Sequence, residues 1–173
     1  QIDRMRHSAT RSLLEKKDTI VVASVSCIYG LGSVESYSSM AFKIFINKNY
    51  DIDKIKKMLV ELQYKRNDQV HLRGTFRSRG DLLEIFPSHL EDKSWRISFF
   101  GDKVESIDEF DPFLGSISKS LDKITVFANS HYVTPKPSLK KAIDQIRIEL
   151  NERVRYFEEK KLFLEAQRIE QRT

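Results

Sequence analysis

The chain has 173 residues, 30 Lys and Arg against 25 Asp and Glu for a net charge of +5, 40% hydrophobic content and one cysteine. This composition excludes disordered, collagen-like and disulfide-stapled classes, and a chain of this size buries roughly two thirds of its unfolded surface without a metal or a disulfide. Cys27 alone can form neither an internal disulfide nor a multi-thiolate metal site, it suits a reducing cytosol, and no run of about 18 apolar residues offers a membrane span. The sequence opens on Gln1 without a signal peptide and stops at Thr173 inside a charged helical pattern, so we read it as a segment of something longer.

Residues 5–18 read as the end of a helix feeding a strand. The strand follows: Ile20, Val21, Val22, Ala23 and Val25 form a continuous β-branched run, which in an α/β setting predicts a parallel strand covered on both faces. Residues 26–33 then form a loop, and Ser33 with Glu35 can begin a helix. Asp51 is an N-cap candidate, and Ile52, Ile55, Met58, Leu59 and Leu62 recur at helical spacing, so 51–62 is an amphipathic helix. Short alternating segments follow at 70–78, 81–86, 95–100, 103–110 and 124–127. They are joined by Arg79-Gly80 and Gly101-Asp102, which argues for hairpins in a twisted antiparallel sheet and an α+β fold. Pro135 and Pro137 open a long helix striped by Leu139, Ile143, Ile146, Leu150, Val154 and Phe157, and a second helix covers 162–172.

With Arg79 and Gly80 as central turn residues, Ser78 faces Asp81, Phe76 faces Leu83 and Gly74 faces Ile85. Phe76, Leu83 and Ile85 then share one face, while His71, Arg73, Thr75, Arg77 and Glu84 share the other. Same-face arginines about 7 Å apart want an anionic partner. Between Lys56 and Gly80 seven basic side chains face two acidic ones, a surplus of five that equals the net charge of the whole chain. Three readings are open: a solvated face partly neutralised by Glu84 and Asp81, an arginine-rich surface for an acidic protein, or a phosphate-contacting patch. Arginine outnumbers lysine near the turn and stacking aromatics are scarce on that face, which favours protein docking.

Catalytic patterns are weak. Gly30-Leu31-Gly32 lacks the third glycine of a dinucleotide loop and the Gly-Lys-Ser/Thr ending of a phosphate loop, so it reads as a strand-to-helix turn. His7, His71, His89 and His131 are scattered, with no Cys or second His at ligand spacing, so no metal site is assigned. Asp102, Glu105, Asp108 and Glu109 read as the wet face of a strand, and no nucleophile triad can be assembled.

The run from Ile20 to Gly32, the stretches 64–68 and 73–87, Phe99-Phe100-Gly101-Asp102, and Leu164-Glu165-Ala166-Gln167-Arg168 with Gln171-Arg172-Thr173 together resemble the UvrB family, B subunits of bacterial excision nucleases. The transcription-repair coupling factor carries a related module, but its relatives do not share the Arg66-Asn67-Asp68 run or the 24–32 loop. The resemblance covers essentially the whole chain. It implies a helicase-like segment over 1–40 after the DNA-clamping β-hairpin, a UvrA-interaction domain over 41–130, and helices returning to the first domain over 131–173.

The resemblance places UvrA-docking positions on Arg66, Arg77, Arg79 and Arg96, and it departs from the family at Ser98, where Glu is frequent; from the strand face we add Arg73 and Glu84 in support. It further implies nucleotide excision repair of damaged DNA in the cytoplasm, within the SOS response, with UvrA and UvrC as partners. ATP and Mg belong to parts of the parent that this segment lacks, so no cofactor, catalysis or membrane contact is expected here. The alternative use of the basic face is direct DNA binding. For the fold we expect Phe76, Leu83, Ile85, Ile97 and Phe99 in the core under Ile55, Leu59 and Leu62, with Arg73 and Arg77 facing outward. Reversing the charge of Arg77 and Arg79, both near a turn, should leave the fold intact.

Overall fold

The computed structural model describes residues 1–27, 29, 32, 34–134 and 136–173, which form two compact units, Gln1–Val133 and Thr134–Thr173. The first unit opens with helix α1 (Ile2–Glu15), a 3-10 turn (Val25–Cys27) and helix α2 (Val34–Ser39). Then come β1 (Phe42–Phe45), α3 (Ile52–Glu61), β2 (Lys65–Arg66), β3 (Thr75–Arg79), β4 (Leu82–Ile85), β5 (Ser94–Phe100), β6 (Lys103–Phe110), β7 (Ile117–Ser120) and β8 (Lys123–Val126). Strands β1 and β8 pair with each other, while β2 to β7 form a twisted six-stranded sheet in sequence order. Every neighbouring pair in that sheet is antiparallel except the parallel β2 and β3, so the fold is α+β.

Helix α3 forms where its cap and its periodicity agree. The Asp51 carboxylate accepts the N–H groups of Asp53 at 2.8 Å and Lys54 at 3.1 Å, satisfying two of the four orphan donors of the first turn. Gln63 ends the helix in the left-handed region with φ +67°. Between these signals the helix sends Ile55 and Leu59, with Leu62 at its end, into the core that holds Phe76, Leu83, Ile85, Ile97 and Phe99. Each such side chain contributes about 1.5–3 kcal/mol when fully buried. Tyr64 closes that edge by donating its hydroxyl to the Phe127 carbonyl at 3.1 Å.

The first hairpin is shifted from the sequence reading. Phe76 pairs with Ile85, Arg77 with Glu84, Ser78 with Leu83 and Arg79 with Leu82, so the central turn residues are Gly80 and Asp81. The backbone decides this. The first central position of a tight hairpin needs φ > 0, which glycine adopts without a Cβ penalty and arginine does not, and Gly80 carries φ +58°. The shift moves each partner by two, so Phe76, Leu83 and Ile85 keep the core face and Arg77 and Glu84 the other.

Strand β3 begins at Thr75 rather than at residue 70. The Thr75 hydroxyl and N–H both donate to the Leu72 carbonyl, at 2.6 and 3.0 Å, folding 72–75 into a turn in which Gly74 takes φ +77°. His71, expected on the wet face, is therefore in a loop and buried. A second irregularity sits in β6, where Ser98 opposes Ser106 but Phe99 opposes Val104. Glu105 is thus an extra residue, a bulge that lets Val104 and Ile107 both reach the core although they differ in parity.

The run 20–25 is not a strand. Ile20 and Val22 are 92% and 96% exposed, and only the turn at Val25–Cys27 is regular. A strand exists through its ladder, and among the described residues no strand pairs with this run. Ile28, Gly30, Leu31, Ser33 and Pro135, on which the loop, glycine-turn and helix-start readings rest, lie outside the described residues.

The second unit is a helical hairpin of α4 (Lys136–Glu159) and α5 (Phe163–Arg172). Lys161 at φ +58° makes the turn, with the Leu162 N–H donating to the Phe157 carbonyl at 2.8 Å. The Arg153 guanidinium covers the rings of Tyr156 and Phe157 at 4.6 and 4.7 Å. Leu139, Ile143 and Ile146 of the predicted stripe remain about half exposed.

Candidate functional site

The sheet face turned away from the α3 core carries a row of polar side chains set by register. Arg77 of β3 lies opposite Glu84 of β4, Glu84 opposite Arg96 of β5, Arg96 opposite Asp108 of β6, and Asp108 opposite Ser120 of β7. One carboxylate serves two strands. Glu84 accepts from Nε of Arg77 through Oε2 and from Nε of Arg96 through Oε1, the latter at 2.8 Å. Burial pushes the Glu84 carboxyl upward, but hydrogen bonds and charge from Arg77 and Arg96 outweigh it and hold the group below the usual carboxylate range. The trio carries one net positive charge.

Arg96 is fixed a second time, its guanidinium carbon lying 4.3 Å from the centroid of the Phe110 ring. Beneath it, His71 stacks on Phe110 with centroids 6.2 Å apart and meets the Ser94 hydroxyl at 2.6 Å. Ser94 spends its proton on the Ile85 carbonyl at 2.7 Å, so His71 donates through Nε2. Burial, reinforced by the Arg77 charge, lowers the His71 pKa to about 4, and the ring is neutral at pH 7. This Ser–His pair is a prop rather than a nucleophile and base, because Ser94 is fully buried and its proton points away from His71.

A second acidic residue, Asp68, gathers the other two predicted arginines, one through its carboxylate and one through its main-chain oxygen. Asp68 meets Arg66 Nε at 2.9 Å and accepts the Ser78 N–H at 3.2 Å, while Arg79 donates through Nη2 to the Asp68 carbonyl at 2.9 Å. The Ser78 N–H, then Arg66 and Arg79, hold the Asp68 carboxyl below its ordinary value. Asn67 shapes this loop by accepting from the N–H groups of Gln69 and Val70 at 3.1 and 3.0 Å. Arg66, Arg77, Arg79 and Arg96 are thus tied to two acids, Arg66 and Arg79 exposed, Arg77 and Arg96 half-buried. Arg73 is exposed in the loop before Gly74 and joins neither group.

Several features escaped the sequence. Asp108, read as wet, is buried and accepts from Ser106 at 3.0 Å and Ser120 at 2.7 Å. The clue was its place opposite Arg96, which needs the strand register. The histidines are not all scattered. His7 and His131 stack with centroids 4.1 Å apart beside Asp3, His7 reaches the Tyr37 hydroxyl at 3.4 Å, and His131 reaches Thr10 at 3.0 Å. Their planes lie 16° apart, so their in-plane lone pairs do not converge on one point as two ligands of one ion must.

Fold and face together define an α+β domain whose sheet carries two arginine–acid groups, Arg77 and Arg96 on Glu84 and Arg66 and Arg79 on Asp68. Two family models cover most of the chain: the UvrB interaction domain over residues 42–132 and the UvrB third helical domain over 137–173. The chain belongs to the UvrB family. It is 53% identical over its full length to UvrABC system protein B of Anaplasma marginale (strain Florida), 54% to that of Anaplasma phagocytophilum (strain HZ) and 51% to that of Syntrophotalea carbinolica. It spans about a quarter, 26%, of the length of each of these relatives. Among the described residues no helix is long and apolar enough to cross a membrane.

Proposed function

We propose that this chain is the UvrA-docking part of a UvrB-type subunit and that it acts in nucleotide excision repair of damaged DNA in the cytoplasm. Its arginine array pairs with carboxylates on UvrA. Residues 41–130 form the docking domain, 1–40 belong to a helicase-like domain and 131–173 lead back to it. ATP and Mg chemistry, the DNA clamp and the UvrC contact belong to the longer protein, and this segment is non-catalytic.

The observation that carries the reading is the hydrogen bonding of Arg77 and Arg96. Each guanidinium spends Nε on Glu84 and keeps four Nη donors, in the planar fork that matches a carboxylate bidentately. Docking is favoured over nucleic-acid binding because Phe110, the ring in contact with Arg96, is buried and offers no surface for a base. Titration of the chain with UvrA in the absence of DNA tests this. Docking gives binding without DNA, whereas a nucleic-acid face gives binding to DNA alone, without sequence preference and with a steep salt slope.

A further inference from the structure

We infer that Glu84 is a positioning residue for docking, an internal counter-ion whose two oxygens hold Arg77 and Arg96 with their forks outward, so that removing its negative charge weakens binding of an acidic partner. The inference rests on the docking reading, and its outcome is counter to simple charge counting. An acid in the middle of a basic face lowers the attraction for carboxylates, so a face that worked by charge alone would bind better without it.

The geometry argues the other way. Arg77 and Arg96 stand on the two strands flanking β4, and each is directly opposite Glu84. Their bonds to opposite oxygens of one carboxylate bring two guanidinium groups onto a single acid. Like charges held that close separate once the acid is neutralised, and each arginine then regains the rotamer freedom that a partner must remove again on binding. The Glu84 side chain is 9% exposed, so it has no room to serve the partner as an acceptor and its contacts are internal. Phe110 under Arg96 and neutral His71 under Phe110 add to the same fixation without charge of their own. Nε-first binding also explains why arginine rather than lysine occupies both positions: an ammonium spent on Glu84 offers no planar fork to a second carboxylate.

The test compares the unmodified chain with E84Q and R96K, each titrated against UvrA at moderate salt, with a thermal melt and the arginine Nε–H resonances recorded on the same samples. Glu84→Gln is expected to bind about tenfold or more weakly although the face gains one positive charge, and the protected Nε–H signals of Arg77 and Arg96 are expected to disappear. Arg96→Lys keeps the charge count and tests the fork even if the Glu84 variant unfolds, and it is expected to lose a similar factor. A folded E84Q that binds as tightly as the unmodified chain, or more tightly, overturns the inference, as does R96K binding at full strength. If the unmodified chain itself does not bind UvrA, the docking reading has failed. If it binds and only E84Q and R96K are silent, the positioning role alone has failed.

Discussion

The guanidinium of Arg96 rests on the ring of Phe110, 4.3 Å from its centroid, while its Nε donates to Glu84. Phe110 is 1% exposed and belongs to the small cluster behind the polar row rather than to the α3 core. Phe110→Ala therefore removes a buried aromatic ring and the platform of Arg96 together. We expect a loss of about 3–5 kcal/mol in denaturant unfolding. Phe110→Leu should recover most of that stability but not the ring contact, so its stability and its UvrA affinity should part company.

How far the sequence could lead is visible in single residues. Helix α3 was legible because the Asp51 cap and the Ile55, Leu59 and Leu62 spacing gave the same answer. The faces of β3 to β5 were legible because alternation survives a register shift of two. The turn itself was misplaced for want of weighing the φ > 0 demand on Gly80. The bulge at Glu105 showed only as a parity conflict between Val104 and Ile107, which periodicity cannot resolve. The 20–25 run failed because β-branched composition reports what a residue would do beside a partner strand, and the described residues provide none. Of the site, Arg66, Arg77 and Arg79 were legible as charge and Arg96 only through the family resemblance, and their division between Glu84 and Asp68 depends on strand pairing.

Arg77 and Arg79 are two residues apart and should behave differently. Arg79 is exposed near the turn, whereas the Arg77 side chain is 19% exposed and bound to a 9% exposed Glu84. Reversal at 77 sets two carboxylates against each other at a half-buried site and should cost about 3–5 kcal/mol. Reversal at 79 should stay within about 0.5 kcal/mol. Thermal melts of R77E and R79E check this, and equal stability of the two would contradict the Glu84 contact. The sequence expectation that both reversals leave the fold intact thus needs correction at Arg77.

Acid should destabilise the domain in two stages. The folded His71 pKa is lowered from 6.5 to about 4, so as pH falls between those values the unfolded chain takes up a proton that the native chain refuses. Stability is complete above pH 6.5 and declines toward pH 4. The depressed Glu84 carboxyl adds a second loss at lower pH, its contribution being present above its unfolded pKa and lost as pH falls through the folded one. Melting temperatures from pH 7.5 to 4.5 should fall for the unmodified chain and fall less steeply for His71→Gln, which keeps an Nε2 donor near Ser94.

Two glycines separate strain from space. Gly80 and Gly74 both have positive φ, but a Cβ at Gly80 meets nothing within 4 Å, whereas one at Gly74 lies 2.6 Å from the Asn129 side chain. Gly80→Ala should cost about 1–2 kcal/mol from backbone conformation alone. Gly74→Ala should cost more, because Asn129 also donates to the Gln63 carbonyl at 3.2 Å and must give that bond up to move. Denaturant midpoints of the two variants measure the difference.

The central claim is most directly tested at the two exposed arginines, Arg66 and Arg79, where binding can be altered without disturbing the Glu84 group. The measurement is a titration of R66E/R79E against UvrA at moderate salt, with a thermal melt of the same sample. We predict a melting temperature near that of the unmodified chain and an affinity loss of about 2–5 kcal/mol, since reversal removes charge-assisted contacts and adds repulsion against partner carboxylates. Unchanged affinity at unchanged melting temperature would contradict docking through this face.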